Sequence, residues 1–347
     1  MAEATLSERI KVAARALGFE LVGIAPAEPG PHAAFLEEWL ARGYAAGMAY
    51  LGRDPEKRQD PRKVVPDARA VVVCGMSYYP GPEPEGTGAV GRGIVARYAR
   101  GNDYHDVLGE KLQALLAFIQ AQAPAGAAGR AYVDTGPVLE REVGALAGLG
   151  QFGKNTTLIS RALGSYFFLG VVITTLALEP DPPASWNLCG SCTRCLDACP
   201  TGALRAPYEL DARLCISYLT IEHRGSIPRE LRAAIGDRVF GCDICQEVCP
   251  WNRRAQPCRE PALAPRPEAE APLLAELLAL SQEEFSRRFR GSAVKRAKCQ
   301  GLRRNAAVAL GNTRDPAYAP VLTRALADPD PVIREHASWA LEQVGGE

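Results

Sequence analysis

An α/β (α+β) domain, then a cysteine-rich module, then an all-α domain is the architecture the sequence predicts, and three observations predict it. Helix-like and strand-like segments are interleaved through residues 1–180, eight of the eleven cysteines fall between positions 189 and 249, and a helical pattern recurs at a step of 31 residues (303 to 334). With 347 residues, 47% of them hydrophobic, the chain has the length and apolar content for two or three cored domains. The expected boundaries are 1–180, 181–260 and 270–347.

Residues 5–17 (TLSERIKVAARAL) open with a Thr-x-x-Glu pattern able to cap a helix, then place apolar residues at helical spacing. ELVGIAP at 20–26 and AVVVCGMSYY at 70–79 read as strands. HDVLGEKLQALLAFIQ at 105–120 carries the apolar stripe of an amphipathic helix, RAYVDT at 130–135 reads as a short strand ending at Asp134, and LEREVGALAG starts another helix. SYFFLGVVITTLAL at 165–178 is β-branched and apolar, as buried strands are. EPDPPASW (179–186) and EPALAPRPEAEAP (260–272) are linkers by composition. Beyond them Arg303–Leu310 lines up with Arg334–Leu341, and Asp-Pro pairs at 315, 328 and 330 precede helices. A short HEAT-like solenoid has this look, its stacked helix pairs burying a shared core.

Forty basic residues balance forty acidic ones, so no global positive field advertises a nucleic-acid partner. One local block qualifies. Between Ser286 and Asn305 stand Arg287, Arg288, Arg290, Lys295, Arg296, Lys298, Arg303 and Arg304, with no acidic residue. Such a block can neutralise phosphates; a solvated helix face is the plain alternative. The N-terminal stretch is polar where a secretion signal needs an apolar run, and no apolar run approaches the ~18 residues that span a bilayer. A cytoplasmic location is expected. Thiols are kept reduced there, so this density of cysteine points to metal rather than disulfides.

Cys189-x2-Cys192-x2-Cys195-x3-Cys199-Pro200 has bacterial ferredoxin spacing. Three thiolates on a tight loop can cap three irons of one cubane, while the fourth enters the following helix and faces another cluster. Downstream, Cys242-x2-Cys245-x3-Cys249-Pro250 lacks a first cysteine, and Cys215, 27 residues earlier than Cys242, is the substitute. The expected ligand sets are Cys189, Cys192, Cys195 and Cys249 for one [4Fe–4S] cluster, and Cys199, Cys215, Cys242 and Cys245 for a second, in a ferredoxin-like dicluster module. Structural zinc also takes thiolates, but its sites show two separated CxxC knuckles rather than this crossed pair. Cys74 reads as core, and Cys258 and Cys299 as incidental.

Three motifs are set aside. Gly148-Leu149-Gly150-Gln151-Phe152-Gly153 matches a dinucleotide fingerprint, but a helix rather than a strand precedes it, and the region around Val172 is apolar where an acidic residue belongs. With Lys154 it approaches a Walker A loop, yet Asn155 stands where Ser or Thr would bind magnesium. Asp103-Tyr104-His105 begins like a cobalamin-binding DxHxxG, but the glycine falls one residue late, at Gly109. His105 at a helix start reads as a solvated or capping residue. The other histidines, His32, His223 and His336, form no ligand-spaced set.

Taken together, RYARGNDYH from Arg97, YVDTGPVLERE around Asp134, Gly150 to Thr156, CISYLTIEHRGSIP from Cys215, the dicluster spacing and RRNAAVALGN at 303–312 resemble the epoxyqueuosine reductase family across nearly the whole chain. The resemblance implies a cobalamin-binding N-terminal domain and reduction of the epoxide of epoxyqueuosine, at a tRNA wobble position, to the queuosine alkene. Related reductive dehalogenases share the cobalamin–dicluster plan but are typically exported with a twin-arginine signal, and the N-terminal stretch here has no twin-arginine pair. The resemblance makes Asp134 the proton donor to the departing oxygen, a role that needs burial to raise its pKa; read from the residues alone, a carboxylate capping the next helix is equally good. For the corrin it implies Arg58, Tyr98, Asp134, Lys154, Asn155, Thr156 and Leu158, with Ser217 and Asp243 beside the second cluster, and base-off binding, since no histidine stands out as a lower ligand. An anticodon stem-loop would meet Lys295, Arg296, Lys298, Arg303 and Arg304. An external electron donor and a monomeric state complete the expectation. Two other functions fit the cysteines: a cobalamin/Fe–S reductase of a small organic substrate, and a non-catalytic dicluster electron carrier.

Overall fold

Strands form where β-branched residues run together, and their burial decides how the sheet is covered. The computed structural model of the chain describes residues 4–83, 88–123 and 126–345; parts of the expected domain ranges 1–180 and 270–347 lie outside the described residues. In chain order the elements are α1 (Leu6–Ala16), β1 (Leu21–Pro26), α2 (Ala33–Ala41), α3 (Pro55–Gln59), β2 (Ala70–Ser77), β3 (Ile94–Val95), α4 (Tyr104–Ala121), β4 (Gly129–Tyr132), α5 (Glu140–Leu146), β5 (Gln151–Phe152), β6 (Leu158–Ile159) and β7 (Phe167–Thr174). Then come α6 (Arg194–Asp197), β8 (Leu204–Ala206), β9 (Glu209–Leu210), α7 (Ile216–Ile221), α8 (Arg229–Ile235), β10 (Arg238–Phe240), α9 (Ile244–Glu247), α10 (Leu274–Ala279), α11 (Gln282–Arg288), α12 (Lys298–Thr313), α13 (Ala319–Ala325) and α14 (Pro331–Gly345).

The main sheet has the order β1-β2-β7-β4, with every neighbour antiparallel. It is therefore α+β in pairing, although its helices interleave with its strands. β2 is buried along its whole length because both faces are covered. Val72, Cys74 and Met76 share one core with Ile10 of α1 and Leu108, Leu112 and Leu115 of α4. Val71 and Val73 point the other way, into a second core with Val143 of α5, Val171 and Ile173. Val71, Val72, Val73 and Val171 have no exposed surface, and burying each is worth roughly 1.5–3 kcal/mol. α5 lies close because β1 offers Gly23: a Cβ there would meet the Ala147 carbonyl oxygen at 2.1 Å. At the N-terminus, Thr5 and Glu8 form the reciprocal capping box of α1.

Two features depart from the sequence-based reading, and a third, the helix before the glycine-rich stretch, agrees with it. β4 stops at Tyr132, so Asp134 sits in the loop beyond it rather than on the strand. Ile94 and Val95 pair in parallel with Arg238 and Phe240, and Arg92 bridges to Leu273, so the first segment is stitched into the other two. The glycine-rich stretch from Gly148 leads from α5 into the β5–β6 hairpin.

In the C-terminal part α12 packs against α14 and α10. The two aligned stretches, Arg303–Leu310 and Arg334–Leu341, fall within α12 and α14. Asp315 accepts from the Ala317 amide at 2.9 Å and Asp330 from the Val332 amide at 2.9 Å, which is why the Asp-Pro pairs start helices.

Candidate functional site

All eight clustered cysteines are free thiols, and they fall into two groups. Cys195 lies within electrostatic reach of Cys189 and Cys249, and Cys249 within reach of Cys189 and Cys192. Cys215 lies within electrostatic reach of Cys199, and Cys242 and Cys245 both within reach of Cys215. Cys245 also feels Cys195, so the groups adjoin, as the packing of α6 on α9 requires. Burial pushes the Cys242 thiol up to about 12 and raises Cys195, Cys215, Cys245 and Cys249 as well. Backbone amides work against that and favour thiolates: the Lys154 N–H donates to Cys189 Sγ at 3.4 Å, and amides of Ser217 and Tyr218 point at Cys215. This donor set, all thiol and met by amides, fits two cubanes.

The acid side is built on the loop between β4 and α5. Asp134 has a left-handed backbone, φ 57°, stabilised by its N–H donating to Glu140 Oε1 at 2.6 Å. Its carboxylate accepts from the Tyr104 hydroxyl at 2.8 Å and lies 3.6 Å from His105 Nε2, with 64% of the side chain exposed. The expected upward shift is not what the site produces. Desolvation does push the carboxyl up, but the neighbouring His105, the Tyr104 hydrogen bond and the charge of Arg141 outweigh it, and the net direction is downward. Beside it, burial and the Asp134 charge push Glu140 up to about 8. Burial pulls His105 down, yet Asp103 and Asp134 override it and raise it to about 9.

His105 stands at a helix start as expected, but the cap of α4 is Asp103, not the histidine, and Asp103 accepts from the His105 amide at 3.1 Å and contacts its Nδ1 at 2.7 Å. Tyr104 stacks on His105 with centroids 4.0 Å apart and on Phe168 at 4.2 Å. Sequence reasoning missed Tyr104, His105 and Glu140 as site residues. The only signal was an Asp-x-His at a helix start.

Tyr98 links the two sides: burial raises its hydroxyl, with Asp134 and Asp243 both bearing on it. Asp243, between Cys242 and α9, is buried and accepts from the Arg97 amide at 2.7 Å and its Nη1 at 3.3 Å. Lys154 directs its Nζ to the carbonyls of Gly190 (2.8 Å) and Cys192 (3.0 Å), and Asn155 donates to the Cys245 carbonyl at 3.3 Å. These two residues tie the β5–β6 hairpin to both cysteine groups. Thr156 is left-handed, φ 67°, and its carbonyl accepts from Arg141. Ser217 lies in the first turn of α7, beside Cys215, and Leu158 is buried in the second core. Arg58, on α3, donates from Nη2 to the Tyr50 carbonyl at 3.2 Å while its Nε is buried without a partner. Tyr50, also missed, carries Arg296 over its ring at 5.5 Å, and Arg296 makes a two-pronged pair with Glu222 at 2.7 and 2.9 Å.

The basic block divides. Lys295, Arg296 and Lys298 are exposed, as are Arg287 and Arg290. Arg304 is not a surface residue: it is 1% exposed and donates to the carbonyls of Leu219 (2.6 Å), His223 (2.8 Å) and Gly225 (2.8 Å). Burial pulls it down to about 10. Arg303 is half-buried, donating to the Leu278 carbonyl at 2.8 Å and to Asp328. Both heads are occupied inside the protein, which removes them from the phosphate-binding set.

Comparison with known proteins agrees with this geometry. Residues 188–252 match a 4Fe-4S double cluster binding domain, 58–135 match "Epoxyqueuosine reductase QueG, DUF1730", and 288–347 match HEAT repeats. The chain is 45% identical to the epoxyqueuosine reductase of Pseudomonas aeruginosa, over 99% of this chain and 95% of that protein. It is similar to a crystal structure of epoxyqueuosine reductase with a tRNA-Tyr epoxyqueuosine-modified stem loop, at TM-score 0.92 and 38% identity, covering 98% of this chain and 90% of the other. A Bacillus subtilis epoxyqueuosine reductase, whose aspartate-bearing catalytic loop is swung out of the active site, matches at TM-score 0.90 and 37% identity, with 98% and 90% covered. This chain belongs to the epoxyqueuosine reductase family.

Proposed function

We propose that the chain reduces the epoxide of epoxyqueuosine in a tRNA anticodon stem-loop to the alkene of queuosine, with electrons from two [4Fe–4S] clusters and a cobalamin as the reacting cofactor. The observation that carries this reading is the placement of Tyr98, its ring 6.0 Å from that of Tyr104, which holds Asp134, and 6.1 Å from that of Phe240, close along the chain to Cys242. The clusters would take Cys189, Cys192, Cys195 and Cys249 in one set, and Cys199, Cys215, Cys242 and Cys245 in the other.

A corrin supplies a metal able to gather one-electron equivalents for a two-electron reduction. The residues around the gap suit one. Arg58 offers a buried donor with no partner, which an amide or phosphate of the cofactor would satisfy. Tyr98, Asp134, Lys154, Asn155, Thr156, Leu158, Ser217 and Asp243 are the proposed rim. Base-off binding is supported by the commitments of the four histidines: His32 to Glu142, His105 to Asp103, His223 to the Ser226 carbonyl and His336 to the Ile227 amide and Val332 carbonyl.

Asp134 is the proposed acid for the departing epoxide oxygen. Its exposure in this structure leaves it able to meet a substrate, and a docked nucleoside would displace water and push its pKa back toward the range a donor needs. Arg287, Arg290, Lys295, Arg296 and Lys298 are the proposed phosphate contacts. No described helix is long and apolar enough to cross a membrane, and a reducing cytoplasm is the proposed setting for so many thiols.

The test is an anaerobic assay on an epoxyqueuosine-bearing anticodon stem-loop, with and without added corrin. Alkene should form only when the clusters are reduced and corrin is present. Turnover that is indifferent to corrin would remove the cofactor from the account.

A further inference from the structure

Epoxide reduction to an alkene consumes two electrons and two protons and releases water. The first C–O bond breaks as the ring opens and the oxygen takes one proton; the second breaks as the alkene forms, and the oxygen leaves as water with the other. The electrons are those the clusters already carry. A single carboxyl holds one proton at a time, so it must be reloaded before it can deliver the second to the same oxygen within one turnover.

One side chain is built into place for that. His105 Nε2 lies 3.6 Å from Asp134 Oδ2, the oxygen that also accepts from Tyr104. Its Nδ1 is fixed by Asp103 at 2.7 Å, and Asp103 is itself immobilised as the N-cap of α4. Stacking on Tyr104 at 4.0 Å sets the plane of the ring. We propose that His105 reloads Asp134 with a proton between the two transfers, so that Asp103, His105 and Asp134 form a relay and not merely a helix cap. The proposal rests on the reading of Asp134 as the acid for epoxide reduction.

In the step itself the His105 Nε2–H bond breaks and an Asp134 Oδ2–H bond forms, leaving neutral imidazole and a loaded acid. Solvent then refills the ring, whose side chain is 32% exposed. A separation of 3.6 Å is an ion-pair distance, and closure by under ~1 Å brings it within hydrogen-bond range. The charged and titratable groups facing His105 are Asp103 and Tyr104 on α4, Asp134 on the loop and Glu140 on α5, with Arg141 acting on Asp134. Together they hold the imidazole charged up to about pH 9 and Asp134 ionised, one proton transfer short of a loaded acid. The relay therefore works below that pH and fails as pH rises through it.

Holoenzyme carrying His105→Gln or Asp103→Asn tests this on the stem-loop substrate, with Asp134→Asn as reference. His105→Gln should lower kcat by about 100-fold, leave KM and the iron and corrin content unchanged, and abolish the alkaline limb near pH 9. Asp103→Asn keeps a capping side chain while removing the charge, and should move that limb down by about one pH unit. The His105 ring-proton NMR midpoint should move with it, assigned by its loss in His105→Gln among four histidines. Wild-type kcat in His105→Gln, or a limb that ignores the NMR midpoint, overturns the relay. If Asp134→Asn is inactive while His105→Gln is not impaired, the acid role stands and the relay alone fails; if Asp134→Asn turns over normally, both fail.

Discussion

The cysteine run from Cys189 to Cys249 and the basic run from Arg287 to Arg304 are both dense blocks of one chemistry, and they fold to opposite effect. The eight thiols collect into two adjoining groups. The eight cations scatter: Arg304 turns inward onto three carbonyls, Arg303 onto Leu278 and Asp328, Arg288 toward Glu276, and five stay outside. Spacing encodes geometry when every residue must reach a common centre. Charge density encodes only composition, because a guanidinium is satisfied as well by buried carbonyls as by phosphate.

Breaking the cysteine side of that comparison should have the largest effect. Cys245 is the thiol that faces both groups, so Cys245→Ala should cut iron from about eight per chain to about four and abolish epoxide reduction. Full iron content by anaerobic metal analysis would mean the grouping is wrong. Next comes Arg304→Met, which leaves three buried carbonyls without their donor and should cost about 3 kcal/mol in urea unfolding. The salt dependence of tRNA binding should be untouched; a lowered salt slope with normal stability would return Arg304 to the surface role.

A third expectation concerns pH. His336 is fully buried, accepts from the Ile227 amide and is held at about 4 by burial, below its ordinary 6.5. The unfolded chain binds a proton here below about 6.5, so the contribution is complete above that pH and is lost as pH falls toward 4. The loss should reach about 3 kcal/mol at pH 4, read from urea midpoints, and His336→Gln should remove that part of the slope. The smallest effect belongs to the exposed cations. Lys295→Gln and Lys298→Gln should each reduce the salt slope of stem-loop binding by about one and weaken binding at all sequences alike. Slopes equal to that of the parent would place the RNA elsewhere.

What could be read ahead of the structure follows the same division. β1, β2, β7 and α4 were legible because their apolar periodicity is local, and Thr5 and Glu8 because a capping box spans only four residues. The ferredoxin-like cysteine spacing was legible for the same reason of reach, and residues 188–252 match a 4Fe-4S double cluster binding domain. Asp134's environment was not, since its pKa is set by Tyr104 and His105, some thirty positions away along the chain, which the antiparallel sheet brings alongside. Nor was the β3–β10 pairing: two residues carry too little pattern to announce a strand. Arg304 was misread because nothing in a run of cations marks the one that faces a neighbouring module's carbonyls.

The central claim is that the thiol groups and the Asp134 loop serve one reductive site. Single-turnover conversion of epoxyqueuosine in a stem-loop by Asp134→Asn protein with full iron and corrin tests it most directly. The account predicts normal cluster reduction and substrate binding with alkene formation slowed by at least ~100-fold. Conversion at the parent rate would contradict it.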